Sequence, residues 1–338
     1  MQTDGPGRVR MGAADARAPA ERALAGAGCE PHEAAILAAH MLDAALCGYE
    51  YSGLPKILNV AEYRAQRSPS GPMQLRHETP MSTLYDGRGN NGMLTVFRAA
   101  EIAIDKAHAS GFAMVGVNNT WMSGRGAYFV EMLARTGLIG ILAISSRHQV
   151  APPGAARAAI GTNPISFGFP TEDDPLLIDI GTSALMFTDL ALRARRNELL
   201  PPGTAIDAAG RPTQDPVEAL QGAVLSFGGY KGFALALAMQ ALGVLAGSGS
   251  DRDGSAGYLL LAIQPEMMMP LSQYRADLSQ ALAHLRSTPR QEGVKAIRIP
   301  SDRSYAQRRL NLEQGIVIDQ HVHDELLRLA ARRDFSMS

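Results

Sequence analysis

The stretch GFAMVGVNNTWMSGRGAYFVEMLARTGLIGILAI, running from Gly111 to Ile144, decides the fold class. Residues 113–117 are a short apolar run with the length and composition of a buried strand. Residues 118–126 bring Asn, Ser and two glycines, the composition of a loop. Residues 127–135 read as a helix, and residues 138–144 as a second buried strand. Strand, loop, helix and strand within about 30 residues make an α/β unit.

Working upstream, residues 96–108 form an amphipathic helix with Ala99, Ala100, Ile102 and Ala103 inward. The run Asp86-Gly-Arg-Gly-Asn-Asn-Gly92 before it is a turn cluster. Residues 18–46 are rich in Ala, Leu and Glu, with Ala34, Leu37, Ala38, Met41 and Leu42 at helical spacing. Pro31 sits where a first helical turn tolerates it. The first 60 residues therefore read as a small helical unit, joined to the rest through the polar segment 64–71. Residues 1–12 carry no apolar signal core and read as a floppy tail. Working downstream, strands are expected at 160–170, 176–180, 258–263 and 294–299. A polar excursion covers 193–210, a loop feeds an apolar helix over 228–247, and helices follow at 271–285 and 320–333. There is no internal repeat.

Composition narrows the class of function. The 338 residues are 46% hydrophobic and 19% charged, enough apolar mass for a sizeable core. Lys plus Arg number 32 against 33 Asp plus Glu, so no global basic field exists for nucleic acid or an anionic membrane. The apolar run 232–246 is too short to span a bilayer and contains Gln240. Two cysteines, Cys29 and Cys47, make neither a disulfide framework nor a four-cysteine zinc site, and fit a reducing, cytoplasmic setting. Cys47 reads as a buried small residue. His321 and His323 alternate on a helix and do not make a metal site. No metal is expected.

Nucleotide motifs are incomplete. Gly124-Arg-Gly126 follows a strand and opens a helix, but Phe129 stands where a dinucleotide fingerprint needs its third glycine. Gly26-Ala-Gly28 lies between helices, and there is no P-loop. On residues alone the chain is an enzyme-like α/β protein.

Six segments taken in order carry a stronger signal. They are Gly111-Phe-Ala-Met-Val-Gly-Val-Asn-Asn119, Tyr128-Phe-Val-Glu-Met132, Gly161-Thr-Asn-Pro-Ile-Ser-Phe167, Asp179-Ile-Gly-Thr-Ser183, Gly228-Gly-Tyr-Lys-Gly232 and Gly257-Tyr-Leu-Leu-Leu-Ala-Ile263. Together they resemble the malate/L-lactate/L-sulfolactate dehydrogenase family, which includes Δ1-piperideine-2-carboxylate reductase, ureidoglycolate dehydrogenase and 2,3-diketogulonate reductase. The resemblance implies an α/β, non-Rossmann fold. A mixed-sheet NAD(P)-binding domain would occupy 73–303. A small helical domain would combine 18–72 with a C-terminal helix at 304–338, behind a flexible tail at 1–17. It further implies a homodimer, NADP or NAD as cofactor, and hydride transfer to or from C2 of a small 2-oxo, 2-hydroxy or cyclic 2-imino carboxylate.

The resemblance also assigns residues. The loop Met122, Ser123, Gly124, Arg125 and Gly126 would lie against the cofactor; the family usually has His where Met122 stands. Arg125, at a helix start, could meet a phosphate. Ser146 and the neighbouring His148 lie in a cofactor-side stretch. Thr162 is a substrate-side candidate, and Asn163, Asp179, Ile180 and Gly181 are cofactor-side ones. Lys231 after Gly228-Gly229 suits a phosphate at a helix N-terminus. Arg298 and Arg303 match a late segment that contacts the cofactor; Ser301 stands where the family has Gly. Each motif also has a plain structural reading as a turn, a cap or a solvated charge.

The acid–base run departs furthest. The family's Ser-His-Gly and following Arg correspond to Tyr51-Ser-Gly-Leu-Pro-Lys56, so Ser52 replaces His and Lys56 replaces Arg. A serine hydroxyl does not titrate near neutrality. Lysine holds a carboxylate as a point charge, without the bidentate fork. Tyr51 or Tyr49 could donate the proton, with Ser52 or Lys56 assisting, and Asp189 could orient a donor or a water. His77, near the turn cluster, could approach the site. Two functions follow: a hydride-transferring oxidoreductase, or a chain that keeps the cofactor pocket and has lost catalysis, acting as a nucleotide-binding or interaction protein.

Overall fold

A computed structural model describes residues 2–3, 7–67, 69–249 and 256–332. In chain order the elements begin with strands β1 (Gln2–Thr3) and β2 (Arg8–Met11), then helices α1 (Ala13–Gly26), α2 (Pro31–Leu46) and α3 (Lys56–Gln66). Next come β3 (Gln74–Glu78), β4 (Ser82–Asp86), α4 (Gly92–Ser110), β5 (Phe112–Thr120), α5 (Gly126–Arg135) and β6 (Ile139–Ser145). Then follow β7 (Val150–Ala151), β8 (Ile165–Phe169), β9 (Leu176–Ile180), α6 (Phe187–Arg196), β10 (Ala205–Ile206), β11 (Pro212–Thr213), α7 (Pro216–Gln221) and β12 (Ala223–Leu225). The chain closes with α8 (Tyr230–Leu245), β13 (Ala256–Ile263), α9 (Leu271–Ser287), α10 (Asp302–Gln314), β14 (Ile316–Asp319) and α11 (Gln320–Ala331).

Local chemistry sets the ends of these elements. Pro31 takes the first helical position of α2, and Glu30 and Glu33 close a capping box there. The turn cluster ends in Asn91, whose side chain accepts from the Met93 N–H to start α4. Gly111, at φ +80°, ends the same helix in the left-handed region.

The centre is a seven-stranded mixed sheet of order β3-β4-β5-β13-β6-β8-β9. Within this sheet, among the described residues, only β4 and β5 pair parallel; β13 runs antiparallel to both β5 and β6. The strand–helix–strand unit of residues 112–145 therefore exists, but its two strands are not neighbours, because β13 is inserted between them. Alternate residues of each strand serve the two faces. Val115, Val117, Leu142, Ile144, Tyr258 and Leu260 meet Val96, Ala100, Phe129 and Leu133 of α4 and α5. Ala143, Ile165 and Leu259 meet Met239 of α8 on the other side. Both faces are covered, so the central strand reads as continuous hydrophobics. Each of the larger aliphatic or Phe side chains among them contributes roughly 1.5–3 kcal/mol.

Three sequence expectations need correction. The tail does not run to residue 17. Arg8–Met11 pairs with Ile316–Asp319, and Ala13–Gly26 is a helix whose Ala16, Ala20, Ala23 and Leu24 join a core with α2, α3 and α11. The C-terminal segment is not one helix. Gly315, at φ +83° with Met11 O 2.6 Å from where a Cβ would stand, breaks it so that β14 can pair with β2. Residues 294–299 form no strand; they run irregularly, mostly exposed, after α9. Parts of these expectations on residues 1, 4–6, 68 and 333–338 lie outside the described residues.

Candidate active site

Three segments singled out in the sequence meet around residue 49. After α2 the chain makes a single 3-10 turn, Glu50–Ser52. Arg8 of β2 fixes it by two bonds to the Glu50 carboxylate, at 2.6 and 3.0 Å. Sequence reasoning missed this anchor, although the alternation in Arg8-Val-Arg-Met11 is a strand signal. Tyr51 and Ser52 are half-buried, and neither hydroxyl has a hydrogen-bond partner among the described residues. Lys56 opens α3, half-buried and without an ion pair among the described residues. Burial pushes its pKa below the usual lysine range.

The loop before α5 is held from beneath by His40 of α2. The His40 ring is fully buried against Tyr128 and Phe129, and its Nε2 accepts the Arg125 backbone N–H at 2.9 Å. Gly124, at φ +69°, is required here, since a Cβ would stand 2.3 Å from His40 Nε2. Met122 adopts φ +56° and leans on the helical core. Ser123 hydrogen-bonds the buried Tyr258.

Arg125 corrects an expectation. It is neither solvated nor available to a phosphate: it is 8% exposed, ion-paired to Asp43 of α2, and lies over the Tyr49 ring with its guanidinium carbon 5.5 Å from the centroid. Asp43 also takes a bond from Arg308 of α10, which chelates Glu131 of α5 at 2.7 Å through both nitrogens. The signal for this network was His40 and Asp43, the polar residues of α2 beyond its first turn.

The Gly161–Pro164 segment is a tie between elements. Asn163 is fully buried at φ +31°. Its Oδ1 accepts the Ser146 N–H at 2.9 Å, and its Nδ2 donates to Ala236 O and Gln240 Oε1 of α8 at 2.9 and 3.1 Å. Its side chain is therefore spent on the fold, a correction to its direct cofactor role. Thr162 stands beside it, its hydroxyl 3.4 Å from Ser146 Oγ and its carbonyl accepting from the Thr182 N–H and hydroxyl. Asp179 is likewise engaged: Oδ1 takes the Ser166 hydroxyl at 2.8 Å, and Oδ2 caps the α5 N-terminus at Ala127 N, 3.0 Å. That carboxylate occupies the end of α5 that an anion would otherwise seek. Gly126 makes room for it, since a Cβ there would clash with Ser166 Oγ. Ile180 is exposed, and Gly181 lies against Met186 Sδ.

An open helix end remains at α8. Gly228 and Gly229 have φ +55° and +61°, with no atom within 4 Å of where either Cβ would stand. The 16-residue helix has no side-chain cap, and exposed Lys231 sits in its first turn with no ion pair among the described residues. The N–H groups of Lys231, Gly232 and Phe233 bond back to the Gly228, Phe227 and Gly229 carbonyls, so what fits a phosphate here is the open glycine backbone and the exposed cation. Arg298 is exposed; Arg303, at the start of α10, also lies over Tyr49, 5.5 Å from the ring centroid. Asp189 pairs with Arg193 in its own helix at 3.1 Å, and no hydrogen bond or ion pair among the described residues joins it to Tyr51, Ser52 or Lys56. It sits within the first turn of α6, where Met186 is the N-cap. His77 and His148 are exposed. Among the described residues, no three His, Cys, Asp or Glu side chains gather as a metal centre needs.

Known proteins are similar to this chain in sequence and fold. The profile of the malate/L-lactate dehydrogenase family matches residues 11–327. An L-sulfolactate dehydrogenase of Methanothermobacter thermautotrophicus is 30% identical over 322 residues, covering 91% of this chain and 92% of its own. A Δ1-pyrroline-2-carboxylate/Δ1-piperideine-2-carboxylate reductase of Pseudomonas aeruginosa is 35% identical over 242 residues, covering 67% and 70%. The crystal structure of a Δ1-piperideine-2-carboxylate reductase from Pseudomonas syringae pvar. tomato superposes with a TM-score of 0.85 at 27% identity, covering 95% of this chain and 99% of that one.

Proposed function

This chain belongs to the malate/L-lactate dehydrogenase family, and from that premise we propose that it moves a hydride between NAD or NADP and C2 of a small carboxylate, either a 2-oxo/2-hydroxy acid or a cyclic 2-imino acid. It is an oxidoreductase. The observation that carries the substrate class is Lys56: a half-buried ammonium without a counter-ion among the described residues is a seat for a carboxylate.

The nicotinamide, when bound, supplies the hydride. The chain must bind the cofactor's phosphates, hold the substrate carboxylate and move one proton. The α8 N-terminus with Lys231, together with Arg298 and Arg303, takes the phosphates. Loop 122–126, Ser146 and Gly181 offer backbone and small side chains beside it, and Thr162 faces the substrate. Lys56 holds the carboxylate, and Tyr51 donates the proton beside Ser52. Asp189 is the further carboxylate that could order a water.

Three further features belong to this reading. The central sheet has one parallel pair and an antiparallel strand between β5 and β6, which supports a non-Rossmann cofactor fold. Helix α8 leaves Tyr230, Leu237, Val244 and Leu245 at least half exposed, a helix face that supports a homodimer. Cys29 and Cys47 are free and buried, which supports a reducing, cytoplasmic setting. Among the described residues no helix is long and apolar enough to cross a membrane. The comparisons lend no support to a chain that keeps the pocket and has lost turnover.

The deciding experiment follows NADPH and NADH oxidation by absorbance with pyruvate, oxaloacetate, Δ1-piperideine-2-carboxylate and Δ1-pyrroline-2-carboxylate. Turnover of at least one is expected. Failure with all four and both cofactors overturns the proposal.

A further inference from the structure

Tyr49 lies between segments that the sequence treats separately. Its ring carries the guanidinium of Arg125, from the loop before α5, and that of Arg303, from the start of α10, each 5.5 Å from the centroid. Its own carbonyl accepts the Ser52 N–H at 3.0 Å, within the turn that presents Tyr51.

The two arginines are not equivalent. Arg125 is immobilised from within, by the Asp43 carboxylate and by the backbone bond to His40. Arg303 is exposed and forms no ion pair among the described residues. The ring is what holds it. A free arginine samples many rotamers, and fixing it costs entropy at the moment an anion binds. A cation already resting on an aromatic face has lost part of that freedom beforehand, so it binds an anion more tightly.

The geometry points to Tyr49 as a positioning residue that presets Arg303 as an anion receptor for the phosphates of the nicotinamide cofactor. This rests on the cofactor reading above. It assigns Tyr49 its ring as the working part, and it takes the residue out of proton transfer. The hydroxyl is dispensable; the aromatic face is not.

The test is a double-mutant cycle read as the dissociation constant for NADPH and NADH by fluorescence titration, on wild type, Y49F, Y49L, R303Q and Y49L/R303Q. Y49L is expected to weaken binding about two- to fivefold, the scale of one exposed cation–π contact. Y49F keeps the ring and stays within about twofold of wild type by the same reasoning. In the R303Q background, Y49L adds nothing further. In steady state, Y49L raises the cofactor KM more than it lowers kcat. Additive losses in the double variant overturn the inference, as does a Y49F defect equal to that of Y49L, which would return the role to the hydroxyl. Wild-type protein that binds neither cofactor overturns the functional reading itself.

Discussion

His40 Nε2 and the Arg125 backbone N–H meet at 2.9 Å in the interior. Nε2 accepts, so the neutral ring carries its proton on Nδ1, and Nδ1 is buried without a partner. Full burial, and next the nearby Arg125 charge, push the His40 pKa down to about 3. The unfolded chain binds a proton there near the ordinary histidine value, so between those limits the unfolded state binds more protons than the folded one. Stability therefore falls as pH drops through the mid-6 range towards 3. His40→Leu removes this slope and leaves the Arg125 N–H unsatisfied, at a cost of about 1–3 kcal/mol near neutrality. Urea melts of both proteins across pH 4–7 check it; parallel pH dependences would contradict the assignment.

Arg308 bridges two carboxylates, the buried Glu131 and the half-buried Asp43. Burial alone would raise Glu131, but the Arg308 bonds outweigh it and hold its pKa below the usual range. Burial raises Asp43 in spite of Arg125 and Arg308. Arg308→Met strips Glu131 of its bidentate partner and should cost about 3–5 kcal/mol, as breaking one side of a buried pair does. Glu131 keeps Arg135 at 2.6 Å, so the lower end of that range is expected. Denaturant unfolding at neutral pH measures it, and a loss under about 1 kcal/mol would show the network to be surface-like.

Lys56 gives a prediction with a pH sign. Lys56→Met should raise the KM for the carboxylate substrate tenfold or more, about one lost charge-assisted bond, and leave cofactor affinity unchanged. Because burial lowers its pKa, substrate binding should weaken as pH rises, earlier than an ordinary lysine would allow. Lys56→Arg, charged throughout, should move that loss to higher pH. An unchanged KM in Lys56→Met would place the carboxylate elsewhere.

Periodicity made the helices legible, and alternating or continuous apolar runs made the main strands legible. What it could not give was pairing. Tyr258–Ile263 reads as a strand, yet its insertion between β5 and β6 depends on contacts remote in sequence. Arg8–Met11 was lost because four residues bounded by glycines look like a tail until Ile316–Asp319 pairs with them. Residues 294–299 have a strand's composition and find no partner edge. At the site, the motifs single out segments in which some polar side chains are used by the fold itself. Asn163, Asp179 and Arg125 look like ligand-binding groups in one dimension. In three, their polar atoms are consumed by Ser146, Ala127 and Asp43. Conversely, the bond between His40 and the 122–126 loop has no local signature, because its partners are 85 residues apart.

Tyr51 is the last residue whose role chemistry constrains. In the proposed correspondence Ser52 takes the place of the family's imidazole, and a serine hydroxyl does not supply a proton near neutral pH. Tyr51 is half-buried one residue earlier, its hydroxyl without a hydrogen-bond partner among the described residues and in electrostatic reach of Arg8. Tyr51→Phe should therefore lower kcat by about a hundredfold or more, the usual share of a general acid, with the NADPH and NADH dissociation constants unchanged. Ser52→Ala should cost only a few-fold. Ser52→His in the Tyr51→Phe background should restore part of kcat and bring in a new pH dependence near the histidine range. If Tyr51→Phe turns over at the wild-type rate, the proton comes from elsewhere, and Asp189 acting through a water becomes the next residue to replace.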